Sequence, residues 1–277
     1  KPSLSIDLKP VREMFGYSSL LILTNIFTIV HQNIFPLILG RQFGKVPAGY
    51  FTQANKWQLM GQSTLQAMLY GVSQPVFAKT EGDPARQLAI LRKLLRFIAM
   101  VSFPAMLGLM LIAPEFIFIT LGKKWAESVQ LLQILCLWGA VMPVSRGKSR
   151  IFFFVTLALS LVSLAAVWLT APWGILVMVK IFVAINALWL FVWHAFVRRY
   201  TGLSLRQLLR DILPYFLFTL AVMFFVAFLT QCITSLWLAL LAKILLATLL
   251  YGGILYASGS VMFREALFFL LKRQSKP

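Results

Sequence analysis

Long apolar runs recur along this chain of 277 residues, and each is long enough to cross a lipid bilayer as a helix. A crossing needs about 20 predominantly apolar residues. The eight predicted spans cover residues 16–39, 50–77, 95–121, 126–144, 151–171, 173–197, 212–233 and 236–258. Hydrophobic residues make up 60% of the chain and charged residues 12%, which is far from soluble usage. The sequence therefore predicts an all-α, polytopic integral membrane helical bundle.

The basic residues fall mostly in alternate connections between these runs. On one side lie 19 of the 26 lysines and arginines, on the other side 4, and 3 lie inside predicted spans. Positive connections stay on the cytoplasmic side, so both termini are predicted to be cytoplasmic. The net charge of +18 is thus a topology signal, and no nucleic-acid partner is expected. Residues 84–98 and 204–213 are basic and amphipathic, which predicts helices lying on the membrane surface beside anionic membrane lipids.

The second predicted span has an unusually polar face. At about 100° per residue, its polar side chains fall within an arc of about 120°. The arc contains Thr52, Asn55, Lys56, Gln62, Ser63, Gln66, Tyr70, Ser73 and Gln74. Polar groups are costly against hydrocarbon, so this face is predicted to line an aqueous cavity. Lys56 is the strongest candidate for a ligand contact, because neither of the first two spans contains an Asp or Glu to pair with it. An anionic substrate would supply the missing counter-charge.

The first predicted span has a polar stripe of its own. Its members are Thr24, Asn25, Thr28, His31 and Gln32. The alternative for both stripes is that the groups form hydrogen bonds between helices and hold them together. Arg41 and Lys45 flank the outer mouth of this span, where a phosphate or simply solvent would meet them. Lys180 and Lys243 lie near outer helix ends and are expected to reach the interface along their aliphatic stems.

Residues for catalysis or metal binding are sparse. The chain has eight acidic residues and two histidines, and no pair or cluster has a spacing typical of carboxylate or metal chemistry. No phosphate loop or nucleophile elbow is present in the sequence. The sequence therefore predicts neither an enzyme nor a bound cofactor or metal.

Three segments resemble a known family. They are LILGRQFGKVPAGYFTQANKWQLM, then SQPVFAKTEGD, then FPAMLGLMLIAPEFIFITLGKKWAESVQLLQIL. Their order and spacing are similar to the second half of Wzx-type polysaccharide (O-antigen) flippases of the multidrug/oligosaccharidyl-lipid/polysaccharide exporter superfamily. The most specific parts are the turn leading into Gly49 and Tyr50 and the turn from Leu121 to Trp125. The resemblance is strong over residues 10–145 and rests on hydropathy afterwards.

The resemblance implies a transporter of the bacterial inner membrane, built from two helical lobes around a polar cavity. Such proteins move undecaprenyl-diphosphate-linked glycans to the periplasmic leaflet. Family members usually have twelve to fourteen spans, so eight would correspond to the second lobe, with an N-terminal lobe or other polysaccharide-assembly proteins as partners. The expected organisation is a cytoplasmic lead-in at 1–15, a cavity-facing lobe at 16–144, and peripheral helices with a basic tail at 145–277.

On this interpretation the polar wall binds a lipid-linked oligosaccharide. Lys56 is the candidate diphosphate contact, with His31 and Arg41 as weaker ones. The candidate sugar contacts are Asn25, Gln32, Asn55, Gln62 and Gln66. Two alternatives remain: a cation-coupled drug antiporter of the same superfamily, which would need a membrane carboxylate, and a membrane enzyme acting on carrier-lipid glycans.

Overall fold

The computed structural model describes residues 22, 26, 29, 33, 35–78, 83–141, 150–260, 262–265 and 268. Within these residues all the long regular elements are α-helices, which confirms the all-α fold class. We number the helices in chain order, beginning with α1 for the helical residues 35–43. The others are α2 (Lys45–Ala78), α3 (Pro84–Thr120), α4 (Ala126–Val141), α5 (Arg150–Thr170), α6 (Ile175–Thr201), α7 (Leu205–Leu229) and α8 (Leu236–Ala257).

Four of the described helical stretches are long and apolar enough to cross a membrane. They are Ala85–Thr120, Ile175–Ala195, Leu205–Leu229 and Leu236–Ala257. Leu157–Thr170 is apolar but shorter. The chain is thus a multi-pass membrane protein, while the count of eight crossings stays a prediction.

Two predicted surface helices are parts of longer helices instead. The 37 residues of α3 form one helix of about 55 Å, which includes residues 84–98. Likewise α7 begins at Leu205 and continues through the predicted boundary at residue 212. The side chain of Asp83 caps α3, and Ser204 with Gln207 forms a capping box on α7, so each helix begins at its polar segment. The two segments are therefore not separate helices, and their position at the membrane surface stays a prediction.

The break between the first two helices lies at Gly44, within the connection of residues 40–49 between the first two predicted spans. Gly44 has φ +86°, a conformation that favours glycine because it has no Cβ. Pro47 lies in the first turn of α2, where a missing N–H costs no helical hydrogen bond. A single residue thus separates α1 from α2, and the ends of the two helices pack closely, with an added Cβ on Gly40 lying 3.7 Å from Ala48 Cβ.

Helix α3 is central to the packing. It contacts α2 and α4 on one side and α7 and α8 on the other, while α6 packs against α4 and α5. The largest core cluster joins α1, α2, α4, α5, α6 and the second half of α3. A separate cluster joins α3 to α7 and α8. One face of α2 therefore packs in this core, which fixes the position of the polar side chains on its other face. The division of the chain at residue 144 stays a prediction.

Candidate functional site

Helix α2 has one packed face and one exposed face. The packed face is buried and consists of Phe51, Ala54, Gln58, Gln62 and Leu65. Thr52, Lys56 and Ser63 are exposed. Their angular positions cluster about 140° from the centre of the packed face, as the helical period requires. These three members of the polar arc thus lie on the exposed face of α2, and the aqueous cavity that they are predicted to line stays a prediction.

Gln62 is on the packed face, so its predicted place among the exposed polar residues is wrong. It is 3% exposed, and its Oε1 accepts a hydrogen bond of 2.8 Å from Gln58 Nε2. The reason is geometric, because Gln62 lies at the edge of the predicted arc, next to the centre of the packed face. Sequence reasoning missed Gln58 entirely, although two glutamines four residues apart on a helix are a recognisable hydrogen-bonding pair.

Gly139 of α4 makes room for this amide pair. A Cβ at residue 139 would lie 2.6 Å from Gln58 Nε2 and 3.0 Å from Met106 Sδ. Real Cβ atoms essentially never approach other heavy atoms as closely as the first of these distances, and the second is unusually short. Glycine at this position therefore lets the glutamine side chain lie between α2 and α4, in the manner of polar contacts between membrane helices.

Lys56 is exposed, and no carboxylate among the described residues forms an ion pair with it. Asn55 and Gln66 are half-buried at the border between the packed and exposed faces. An ammonium, two amides and the hydroxyls of Thr52 and Ser63 thus lie along one side of α2. Such a surface has donors for phosphate oxygens and both donors and acceptors for sugar hydroxyls.

The two motifs most specific to the family resemblance contact each other. Trp125, from the turn between α3 and α4, has its ring 4.0 Å from the position of a Cβ on Gly49, and its ring meets that of Tyr50 edge-on at 5.6 Å. Ser128 Oγ donates a hydrogen bond of 3.0 Å to Tyr50 O. These contacts fix the start of α2 against the α3–α4 turn, which determines the direction in which the exposed face of α2 points.

Four exposed cations surround this end of the helices. Arg41 and Lys45 flank the Gly44 corner, and Lys123 and Lys124 lie in the α3–α4 turn. None of the four forms an ion pair within the part of the chain that the structure describes. Arg41 is thus available to an anion or to solvent, as the sequence left open. Asn25, His31 and Gln32, the predicted contacts on the first span, lie outside the described residues.

Lys243 has a carboxylate partner on another helix. Its Nζ lies 2.6 Å from Glu115 Oε1 and donates a weaker bond of 3.4 Å to Leu111 O, and both charged side chains are 12% exposed. The expectation that Lys243 reaches the interface is therefore wrong. Lys180 is exposed, as a lysine extending towards the interface would be.

Comparisons with known proteins support the resemblance seen in the sequence. Residues 1–130 match the family model described as "Polysaccharide biosynthesis protein". Among curated proteins, the chain is 28% identical over 144 residues to "Lipopolysaccharide biosynthesis protein WzxC" of Escherichia coli (strain K12), covering 52% of this chain and 29% of that protein. It is 26% identical over 210 residues to "Uncharacterized membrane protein in cps region" of Klebsiella pneumoniae, covering 76% of this chain and 41% of that one.

A third relative is "Teichuronic acid biosynthesis protein TuaB" of Bacillus subtilis (strain 168), which is 22% identical over 162 residues, or 55% of this chain and 34% of that protein. The chain thus spans less than half the length of these relatives. No solved structure matches it. These matches support the resemblance to Wzx-type polysaccharide flippases, and the names of the matching family and of two relatives refer to the biosynthesis of a polysaccharide, a lipopolysaccharide or teichuronic acid.

Proposed function

We propose that this chain is the second lobe of a flippase that moves an undecaprenyl-diphosphate-linked oligosaccharide from the cytoplasmic to the periplasmic leaflet of the bacterial inner membrane. The observation that carries the proposal is the exposed face of α2, on which Lys56 has no ion-pair partner among the described residues. Since the chain covers only 29 to 41% of its relatives' lengths, the proposal includes a further lobe that closes the cavity from the other side.

In the proposed mechanism the two lobes rock about a central site, which opens in turn to each leaflet. Lys56 binds the diphosphate, because an ammonium in a largely apolar helix is stabilised by an anion. Asn55 and Gln66 meet sugar hydroxyls, and the lipid tail stays in the bilayer. Arg41 is a second phosphate contact at the end of the cavity. Asn25, His31 and Gln32 extend the same wall from the first span.

We assign Gln62 a different part in this mechanism. Its Oε1 accepts a hydrogen bond from Gln58 of the same helix, and its side chain is 3% exposed, so it belongs to the face of α2 that packs against the neighbouring helices. Packing against these helices keeps α2, and with it Lys56, in one position. A residue that binds the diphosphate in every transport cycle needs such a fixed position.

Two observations weigh against the alternatives. An antiporter needs a membrane carboxylate that can bind its cation, and Glu115 is already neutralised by Lys243 at 2.6 Å. An enzyme on carrier lipids needs an acidic or metal-binding cluster, and the sequence has no pair or cluster with a spacing typical of that chemistry. The exporter is therefore the function that the arrangement supports best.

The test is a Lys56→Ala substitution at the chromosomal copy of the gene, with surface glycan and its lipid-linked precursor both measured. We expect glycan display to fall at least about tenfold, as loss of one charge-assisted contact implies. Precursor should accumulate in the cytoplasmic leaflet, and protein abundance should stay normal. Lys56→Arg should be milder, and Lys180→Ala, which removes an exposed lysine of α6, is the matched control.

Two results would contradict the proposal. Absence of precursor in the Lys56→Ala strain would indicate an enzyme that makes it. Recovery of export when a carboxylate of another lobe is neutralised together with Lys56 would show that the lysine pairs with that carboxylate and does not contact the substrate.

A further inference from the structure

A cleft opens where α3 meets the residues that follow α8. Its volume is about 360 Å³, and it is lined by Ala89, Arg92, Lys93, Arg96, Met262 and Glu265. The segment after α8 is held in place by Met262 and Phe263, which pack on the core shared by α3, α7 and α8. A bond of 3.3 Å between Tyr215 Oη and Ser260 Oγ ties it to α7. The cleft is therefore a fixed feature of the fold.

The cleft lies at the height expected for lipid headgroups. Arg96 precedes Thr120, the last residue of α3, by about 36 Å along the helix axis at 1.5 Å per residue. The hydrocarbon core of a bilayer is about 30 Å thick. If the C-terminal end of α3 lies at one membrane surface, Arg96 lies at the other, on the side that the distribution of basic residues assigns to the cytoplasm.

A buried carboxylate orients the two arginines of the cleft. Asp211 of α7 is 4% exposed, and it accepts hydrogen bonds from Arg92 Nε at 2.7 Å, Arg92 Nη2 at 3.0 Å and Arg96 Nε at 2.8 Å. Each guanidinium has five N–H donors, so both retain donors for another acceptor. One carboxylate against two guanidinium groups leaves a net positive charge with a fixed geometry, which suits the oxygens of a phosphate.

The third cation is held only by an exposed carboxylate. Lys93 Nζ lies 2.7 Å from Glu265 Oε2, and the two side chains are 57% and 52% exposed. Exposed ion pairs contribute little to stability, so Lys93 can exchange this partner for a more strongly charged one. Glu265 thus competes with any anion that enters the cleft.

We propose that this cleft binds the phosphate of an anionic membrane lipid, such as phosphatidylglycerol or cardiolipin. Arg92 and Arg96 supply fixed donors. Lys93 gives up its ion pair with Glu265 and binds the phosphate as the third cation. Ala89 and Met262 form an apolar wall against which the glycerol and the first methylene groups lie. Basic pockets at the cytoplasmic ends of membrane helices bind such headgroups through these chemical features. The proposal for this cleft does not rest on the identity of the substrate that the protein exports.

The experiment is native mass spectrometry of the full chain released from micelles that contain equal amounts of phosphatidylglycerol and phosphatidylethanolamine. We expect selective retention of phosphatidylglycerol. Lys93→Gln should weaken retention about tenfold, as loss of a charged hydrogen-bond partner implies. Glu265→Gln should strengthen it about threefold, because it frees Lys93 and removes a competing anion. Both residues are exposed, so the variants should fold.

Matched controls lie away from the cleft. Lys180→Gln removes an exposed lysine from α6, and Glu127→Gln removes an exposed carboxylate from the first turn of α4, at the opposite end of α3. Neither should change retention. A purely structural role of the Lys93–Glu265 pair predicts no gain in Glu265→Gln, and that result would overturn the proposal. Displacement of the lipid by inorganic phosphate at millimolar concentration would assign the cleft to a soluble anion and overturn it too.

Discussion

Removing Lys243 should leave Glu115 buried without its counter-charge. The lysine Nζ lies 2.6 Å from Glu115 Oε1, and the other carboxylate oxygen is buried and accepts no hydrogen bond from any described group. Breaking one side of a buried ion pair costs about 3–5 kcal/mol, because the remaining charge is not solvated. Both side chains retain 12% exposure, so we expect Lys243→Met to lower the free energy of unfolding by about 3 kcal/mol, the lower end of that range.

The double variant Glu115→Gln/Lys243→Met removes both charges and keeps most of the volume. Replacement of an entire buried pair by uncharged groups is often neutral, so its stability should lie within about 1 kcal/mol of the unmodified chain. The assay is an SDS titration in mixed micelles, followed by the helical circular dichroism signal. Lys180→Met is the control, since that lysine is exposed and should change stability by less than about 0.5 kcal/mol.

Two results would refute this reasoning. If Lys243→Met is as stable as the control, then Lys243 reaches the interface, as the sequence predicts, and Glu115 is hydrated. If the double variant is no more stable than Lys243→Met, then the cost arises from lost packing, and the ion pair is not the reason for it.

Three further predictions use other parts of the molecule. Gly139→Ala should lower the free energy of unfolding by about 1–3 kcal/mol in the same titration, because the new Cβ would lie 2.6 Å from Gln58 Nε2. The control is Gly253→Ala on α8, which should be neutral or stabilising because no atom lies within 4 Å of its Cβ position. A cysteine at Ser63 should react with a hydrophilic reagent in membranes and one at Ala54 should not, since only the former is exposed; equal rates would show that the exposed face of α2 does not meet water. A cysteine at the exposed Arg206 should be labelled only after permeabilisation, and labelling in intact cells would reverse the topology.

The sequence predicts features that depend on local periodicity and does not predict pairing between distant helices. The positions of the helices follow from runs of apolar residues, and the exposure of Lys56 follows from the angular positions of polar residues over a few helical turns. The partner of Lys243 lies 128 positions away and that of Arg92 lies 119 positions away, so neither could be assigned without knowing which helices are neighbours. Gln62 shows that periodicity is insufficient even within one helix. A side chain at the edge of a predicted arc is buried or exposed according to the width of the packed face, which depends on the neighbouring helices.

The three lysines inside the predicted spans illustrate why Lys56 is the strongest candidate for an anionic ligand. Lys180 lies about 8 Å along the axis from Ile175, the start of α6, and its stem can cover that distance. Lys243 is about 10 Å into α8, and Glu115 neutralises it. Lys56 lies about 16 Å from Lys45, the start of α2, which exceeds the reach of a lysine stem, and it has no carboxylate partner among the described residues. We therefore propose that its counter-charge is an anion from outside the part of the chain that the structure describes, and a diphosphate-linked substrate would provide it.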